Sequence, residues 1–177
     1  TPALIDANWQ GKPRKLLVQA NRNGFFYVLD RTNGEFLLGT KYVKNVTWAS
    51  GLTAQGRPIR VLNMEPTPEG RRVCPSLEGA SNWYSTSYNP ATGLYYVQTN
   101  DKCGVFTKIP MEWAAGRGYM GGSFMQAPDE PAQRVLRAID IQTGKAAWEV
   151  PQVGPVTSWG GTLSTASGVV FFGDDSG

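Results

Sequence analysis

At 177 residues and a net charge of +3, the chain can bury one sizeable core but is too weakly basic, with no Lys/Arg run, to suggest a nucleic-acid partner. Histidine is absent, which excludes Ser-His-Asp and Cys-His nucleophiles and His-based zinc sites within the chain. No stretch approaches the roughly 18 consecutive apolar residues of a membrane span, and no signal peptide opens the sequence.

Charged residues make up only 18%, and 21 glycines, 12 prolines and 11% aromatics suit short strands joined by tight turns. Residues 16–20 read as a buried strand, followed by the polar turn Asn21-Arg22-Asn23-Gly24 and a second buried strand at 25–30. Residues 29–37 then form a hairpin with Asp30, Thr32 and Gly34 between two apolar runs. Residues 65–79, rich in Pro, Gly and charge, read as an inter-strand loop. Asn82-Trp83 precedes an expected strand at 84–88, and a second hairpin at 88–96 carries Asn89, Thr92 and Gly93. A turn of helix is expected at 109–115, ended by Gly116, Gly118, Gly121 and Gly122. Residues 126–133, with Pro128 and Pro131, read as another loop. A third hairpin at 139–148 carries Asp140, Thr143 and Gly144, and residues 158–177 read as strand, turn, strand and a new turn. That last pattern suggests a sheet continuing past the given sequence, hence an interior piece of a larger all-β protein.

The three hairpins share one chemistry. Asp30, Asn89 or Asp140 hydrogen-bonds the turn backbone, and the glycine four residues on takes a positive φ without a Cβ clash. They recur 59 and 51 residues apart. A hairpin repeating at about fifty residues predicts a β-propeller with four strands per blade, about three to four blades being present. The alternative is a β-sandwich with three similar hairpins. The run Asp140 to Trp148 favours the propeller, because its indole can wedge an outer hairpin against a neighbouring blade.

Candidate site residues each carry two readings. Arg22 either offers a guanidinium to a ligand oxygen in the central channel or caps a solvated hairpin. Asn82 and Trp83 either hydrogen-bond and stack on a flat polar ring or belong to an ordinary strand start. Trp159, with Gly160 and Gly161, pairs an aromatic plane with bare backbone that a ligand can approach. Asp174 and Asp175 read as solvated, Glu149 lies on an outer strand, and no residue stands out as a general base. Cys74 and Cys103 are too few for a four-ligand zinc site and are not spaced as Cys-x-x-Cys. They bracket the segment 82–100, and a disulfide, two inert thiols or one reactive thiol remain open.

The run from Asn21 to Gly34, Asn82-Trp83 with residues 88–94, Asp140 to Trp148, and Ser158-Trp159-Gly160-Gly161-Thr162 resemble, in order, the pyrroloquinoline quinone (PQQ)-dependent alcohol dehydrogenases. The likeness covers nearly the whole chain. It implies part of an eight-bladed propeller, residues 1–177 being a partial propeller from the C-terminal half, truncated at both ends. It implies an enzyme oxidising a primary-alcohol or sugar substrate by hydride transfer to the quinone. Arg22 would assist at the quinone oxygens, and Asn82, Trp83, Trp159 and Gly160 would line the cofactor. The family's catalytic Asp and calcium ligands have no counterpart here, so PQQ and calcium imply the remaining blades, and this piece alone would be inactive. Cytochrome c or a quinone would be the electron acceptor and the location periplasmic or secreted. Such an oxidising compartment favours the Cys74–Cys103 disulfide, whose ~30-residue loop would stabilise by roughly 3–4 kcal/mol in the chain-entropy model. Two other functions remain: a non-catalytic propeller scaffold, and a carbohydrate-binding propeller stacking Trp83 and Trp159 on sugar faces.

Overall fold

The computed structural model describes residues 1–128, 131–153 and 159–173, and these form fifteen β-strands without a helix. The first sheet is a meander of β1 (Ala3–Trp9), β2 (Lys12–Ala20), β3 (Phe25–Asp30) and β4 (Phe36–Lys41). An excursion follows, with β5 (Ala49–Leu52), β6 (Pro58–Arg60) and β7 (Arg71–Val73). The second four-stranded sheet takes β8 (Ser87–Asn89) and β9 (Leu94–Asp101), then β10 (Gly104–Lys108) and β11 (Gly122–Gln126) leave it. It resumes with β12 (Gln133–Asp140) and β13 (Ala146–Pro151), in the spatial order β13-β12-β9-β8. β7, β10 and β11 make a three-stranded sheet, β5 pairs with β6, and β14 (Thr162–Ser164) pairs with β15 (Val170–Phe172). The strand count matches three to four blades, but only two four-stranded sheets are complete among the described residues.

The all-β expectation holds, and the turn chemistry is as read. Gly34, Gly93 and Gly144 donate their N–H groups to Asp30, Asn89 and Asp140 carbonyls at 2.8–2.9 Å, each with positive φ. The side-chain oxygens of Asp30, Asn89 and Asp140 accept from the amides of Thr32, Ala91 and Gln142. Their placement differs from a one-per-blade repeat. Asn89 turns β8 into β9 and Asp140 turns β12 into β13, so both lie in one sheet. The equivalent turns are Asp30 and Asp140. Both join the third and fourth strands of a meander, and both follow a register shift, at Val28/Leu29 and at Ala138/Ile139. Sequence spacing misassigned the repeat because the excursions fall unevenly between strands.

The two complete sheets pack face to face. Leu16, Val18, Phe26 and Val28 of the first meet Tyr95, Val97 and Ile139 of the second in one buried cluster, with Phe26 and Tyr95 rings 5.5 Å apart. β9 and β12 are buried along nearly their whole length, and on the face away from the first sheet β14 hydrogen-bonds to β8 and β9. At the outer edge, Gly144 sits against Leu38 and Thr40, and Thr40 donates to the Gly144 carbonyl at 2.8 Å. Leu38 follows Asp30 by the same interval that Trp148 follows Asp140. Leu38 therefore shows the inter-sheet contact expected of this position, whereas the ring contact of Trp148 is with Tyr96 in its own sheet.

Three local expectations change. Residues 109–115 form no helix: the Ile109 amide donates across the β10–β11 loop to Gly121 instead. Residues 84–86 are not strand, because Ser85 gives its carbonyl to Thr162 of the adjoining hairpin. The stretch 65–79 is not wholly loop, since it contains β7.

Candidate functional site

The short turns at Gly11, Gly34, Gly93, Gly144 and Gly168 lie at one end of the sheets, and the sequence-expected site residues gather at the other. There, residues 21–24 link β2 to β3. Asn21 Oδ1 accepts from the Asn23 amide and Asn23 Oδ1 from the Phe25 amide, while Gly24 takes a φ of 93°. These bonds fix the loop and leave Arg22 exposed at its apex. The Arg22 carbonyl accepts from Ala80, and the Ala80 carbonyl accepts from Asn100 at the end of β9. Ser81 Oγ donates to the Ala20 carbonyl. Residues 79–81 thus strap the first sheet to the second. Gly79 is required at this strap: a Cβ would lie 2.8 Å from Arg22 Cβ, and its φ is 80°.

The strap leads into Trp83, whose indole stacks on that of Trp159 with centroids 6.1 Å apart and planes 10° from parallel. Trp83 is 69% exposed and Trp159 49%, so the pair presents an aromatic ledge to solvent. Tyr84, almost fully buried, meets Trp159 edge-on at 6.2 Å and accepts a hydrogen bond from Asn100. Burial pushes the Tyr84 phenol above its usual range, against the pull of the Arg134 charge. The Arg134 guanidinium lies 5.4 Å from the Tyr84 ring centroid.

The structure brings Arg22, Asn82, Trp83, Trp159 and Gly160 to this end, in differing roles. Arg22 donates to the Leu77 carbonyl at 2.5 Å. Asn82 uses both ends of its amide in the loop, donating to Glu78 and accepting from the Trp83 amide. The glycines after Trp159 serve close backbone packing. A Cβ on Gly160 would lie 2.9 Å from the Gly173 carbonyl oxygen, and one on Gly161 would lie 2.8 Å from that of Ser85. Gln98, wholly buried, donates to the same Gly173 carbonyl. Ser158, Asp174 and Asp175 lie outside the described residues. Cys74 and Cys103 are bonded, their Cα atoms 4.4 Å apart, and tie β7 and β10 to the end of β9. Sequence reading missed Tyr84, taken as plain strand, and Arg134, a charge inside an apolar strand.

No family model matches the chain. It is 43% identical, over 98% of its length, to a quinohaemoprotein alcohol dehydrogenase, ADH IIB, of Pseudomonas putida. Its fold matches the quinohaemoprotein alcohol dehydrogenase of Comamonas testosteroni over 97% of the chain, with a TM-score of 0.81 and 33% identity. A europium-containing methanol dehydrogenase matches over 97%, with a TM-score of 0.83 and 30% identity. This chain is a homologue of the quinoprotein alcohol dehydrogenases. It spans only 26–31% of these relatives' lengths. The two face-to-face meanders of this quinoprotein homologue are accordingly propeller blades. Among its described residues, no group of three or more Cys, Asp or Glu is gathered to hold a metal ion. No helix among them is long and apolar enough to cross a membrane.

Proposed function

We propose that this chain supplies one wall of the cofactor site of a PQQ-dependent dehydrogenase, within a longer propeller, that oxidises primary-alcohol or sugar substrates. The observation that carries this reading is the convergence of Arg22 and the exposed Trp83–Trp159 stack at one end of two blades homologous to quinoprotein dehydrogenases. A planar, polyanionic quinone fits such a wall. The indole faces offer stacking, and Arg22 offers a guanidinium for oxygen. When bound there, such a quinone would supply hydride acceptance from the alcohol carbon.

The chain's own residues bind and orient. Trp83 and Trp159 present flat apolar surface that excludes water from one ring face. Arg22, released from the Leu77 carbonyl, donates to an oxygen on which negative charge develops, the arrangement of an oxyanion donor. Asn82 holds the Trp83 backbone in place and acts on the ligand through it. By the family resemblance, the ligands of the metal, calcium or a lanthanide as in the europium-containing relative, belong to the remaining blades. The electron acceptor would be a cytochrome c, in keeping with the quinohaemoprotein relatives, or a quinone. The Cys74–Cys103 disulfide suits a periplasmic or secreted protein.

The test is reconstitution of the whole enzyme with PQQ and calcium or a lanthanide, following quinone absorbance and alcohol-dependent dye reduction. Arg22→Met should lower turnover by about 10²–10³ while leaving quinone bound. A protein that takes up no quinone, or an Arg22→Met variant with full turnover, rejects the assignment.

A further inference from the structure

β12 carries a second buried arginine at the site end. Arg134 is 3% exposed, and its Nε and Nη2 are buried without a hydrogen-bond partner among the described residues. Those two nitrogens form one edge of the guanidinium, the edge that ordinarily grips a carboxylate in a bidentate pair. One face of the group lies over Tyr84. Arg134 pairs with Asn100 across the β9–β12 ladder, so both side chains project to the same face of the sheet. Asn100 in turn donates to the Tyr84 hydroxyl. Tyr84 is thus held from two directions, by the guanidinium over its ring and by an amide at its oxygen. Its ring edge supports Trp159, and Trp159 supports Trp83.

A buried charge lacking hydrogen bonds is costly, and such costs concentrate where function uses them. We propose that Arg134 is a positioning residue: through Tyr84 it sets the angle of the Trp83–Trp159 ledge, and its charge, unpaired among the described residues, favours a planar anionic ligand there over a neutral one. This rests on the cofactor-site reading for the identity of the ligand, but not for the orientation of the ledge. Aromatic faces attract cations through their quadrupole, an attraction strengthened by desolvation, so Arg134 restrains Tyr84 without a hydrogen bond. The charge is buried where solvent screens it weakly and therefore acts at longer range than an exposed lysine would.

The experiment compares the whole enzyme with its Arg134→Lys and Arg134→Met variants in two readouts. The first, with no ligand added, is the near-ultraviolet circular dichroism of the stacked indoles, identified by its loss in Trp159→Phe. The second is PQQ affinity by tryptophan quenching. Arg134→Met should lose the coupled-indole signal and bind PQQ about tenfold more weakly, and Arg134→Lys, which keeps the charge but not the planar group, should fall between. An unchanged indole signal in a folded Arg134→Met protein overturns the positioning role. Equal PQQ affinity in Arg134→Met and the parent overturns the charge role. If the parent binds no PQQ, the cofactor-site reading and the anionic-ligand part fall together, while the dichroism still decides the positioning part. Should Arg134→Met fail to fold, Arg134→Gln takes its place in both readouts.

Discussion

Arg134 and Arg137 lie three residues apart on β12, are 3% and 4% exposed, and point to opposite faces of one sheet. Arg137 faces the first blade. Its Nη2 lies 2.6 Å from Asp101, its Nε 2.9 Å from Glu149, and its Nη1 donates to Thr99. Burial alone would lower its pKa, yet hydrogen bonds and charge from Asp101 and Glu149 hold it above the usual value. Arg134 faces the candidate site with two nitrogens unpaired among the described residues. One buried cation is thus committed to tying together three strands of its own blade, and the other is left with capacity to act on something nearby. Burial of a charge does not by itself disclose its role; the completeness of its partners does.

Removing each cation breaks the comparison most sharply. Arg137→Met strips Asp101 and Glu149 of their partner, and loss of one member of a buried ion-pair network costs about 3–5 kcal/mol. Arg134→Met gives up no hydrogen bond among the described residues and relieves an unsatisfied group, so its cost should stay within about 2 kcal/mol, that of a desolvated cation–π contact. Urea unfolding of both variants measures the difference. Equal destabilisation would show that Arg134 is a structural charge like Arg137.

The covalent link at the same end ranks next. The disulfide closes a loop of 29 residues in sequence separation and anchors the three-stranded excursion beside the site. Replacing both cysteines by serine should cost roughly 3 kcal/mol through the unfolded state. Because that loop includes the strap and Trp83, the change should also disturb the indole dichroism, whereas Arg137→Met should leave it intact. Chemical unfolding and dichroism of the double variant, each against the parent, check both statements.

The sequence exposes what is local. Asp30, Asn89 and Asp140 announce their turns because the side chain that caps each turn and the glycine that permits it lie within four residues. Arg22, Trp83 and Trp159 could be marked as candidates from their residue types and flanking turns. What pairs with what was hidden. The turns at Asn89 and Asp140 look like successive blades until β9 is seen to pair with β12 across the β10–β11 excursion. Gly160 and Gly161 look open to a ligand, but Gly173 and Ser85 occupy that space, both brought there by other strands. Arg134 and Arg137 have similar apolar neighbours. Their odd spacing places them on opposite faces, but only the fold shows that one face holds Asp101 and the other Tyr84.

The smallest expected effect separates the two kinds of turn. Asp30 and Asn89 hold their turns alike, one with a carboxylate and one with an amide. Hydrogen bonds from the Thr32 hydroxyl and amide, aided by Arg14 and opposed by burial, keep the Asp30 carboxyl below its ordinary value of 3.8. A carboxyl whose pKa is lower folded than unfolded adds stability that is fully present above the unfolded value and is lost as pH falls through the folded one. Asn89 contributes nothing of this kind. Asp30→Asn should keep the turn but forfeit the ion pair with Arg14, lowering the urea midpoint slightly at pH 7. As pH drops below about 4, the parent should lose stability faster than the variant and the two midpoints should converge. Glu78 leaves some acid dependence in both proteins: burial pushes it upward, but Ser76 and Lys102 hold it below 4.5. Midpoints measured at several pH values that stay a constant distance apart would show that the Asp30 turn, like the Asn89 turn, is held without help from charge.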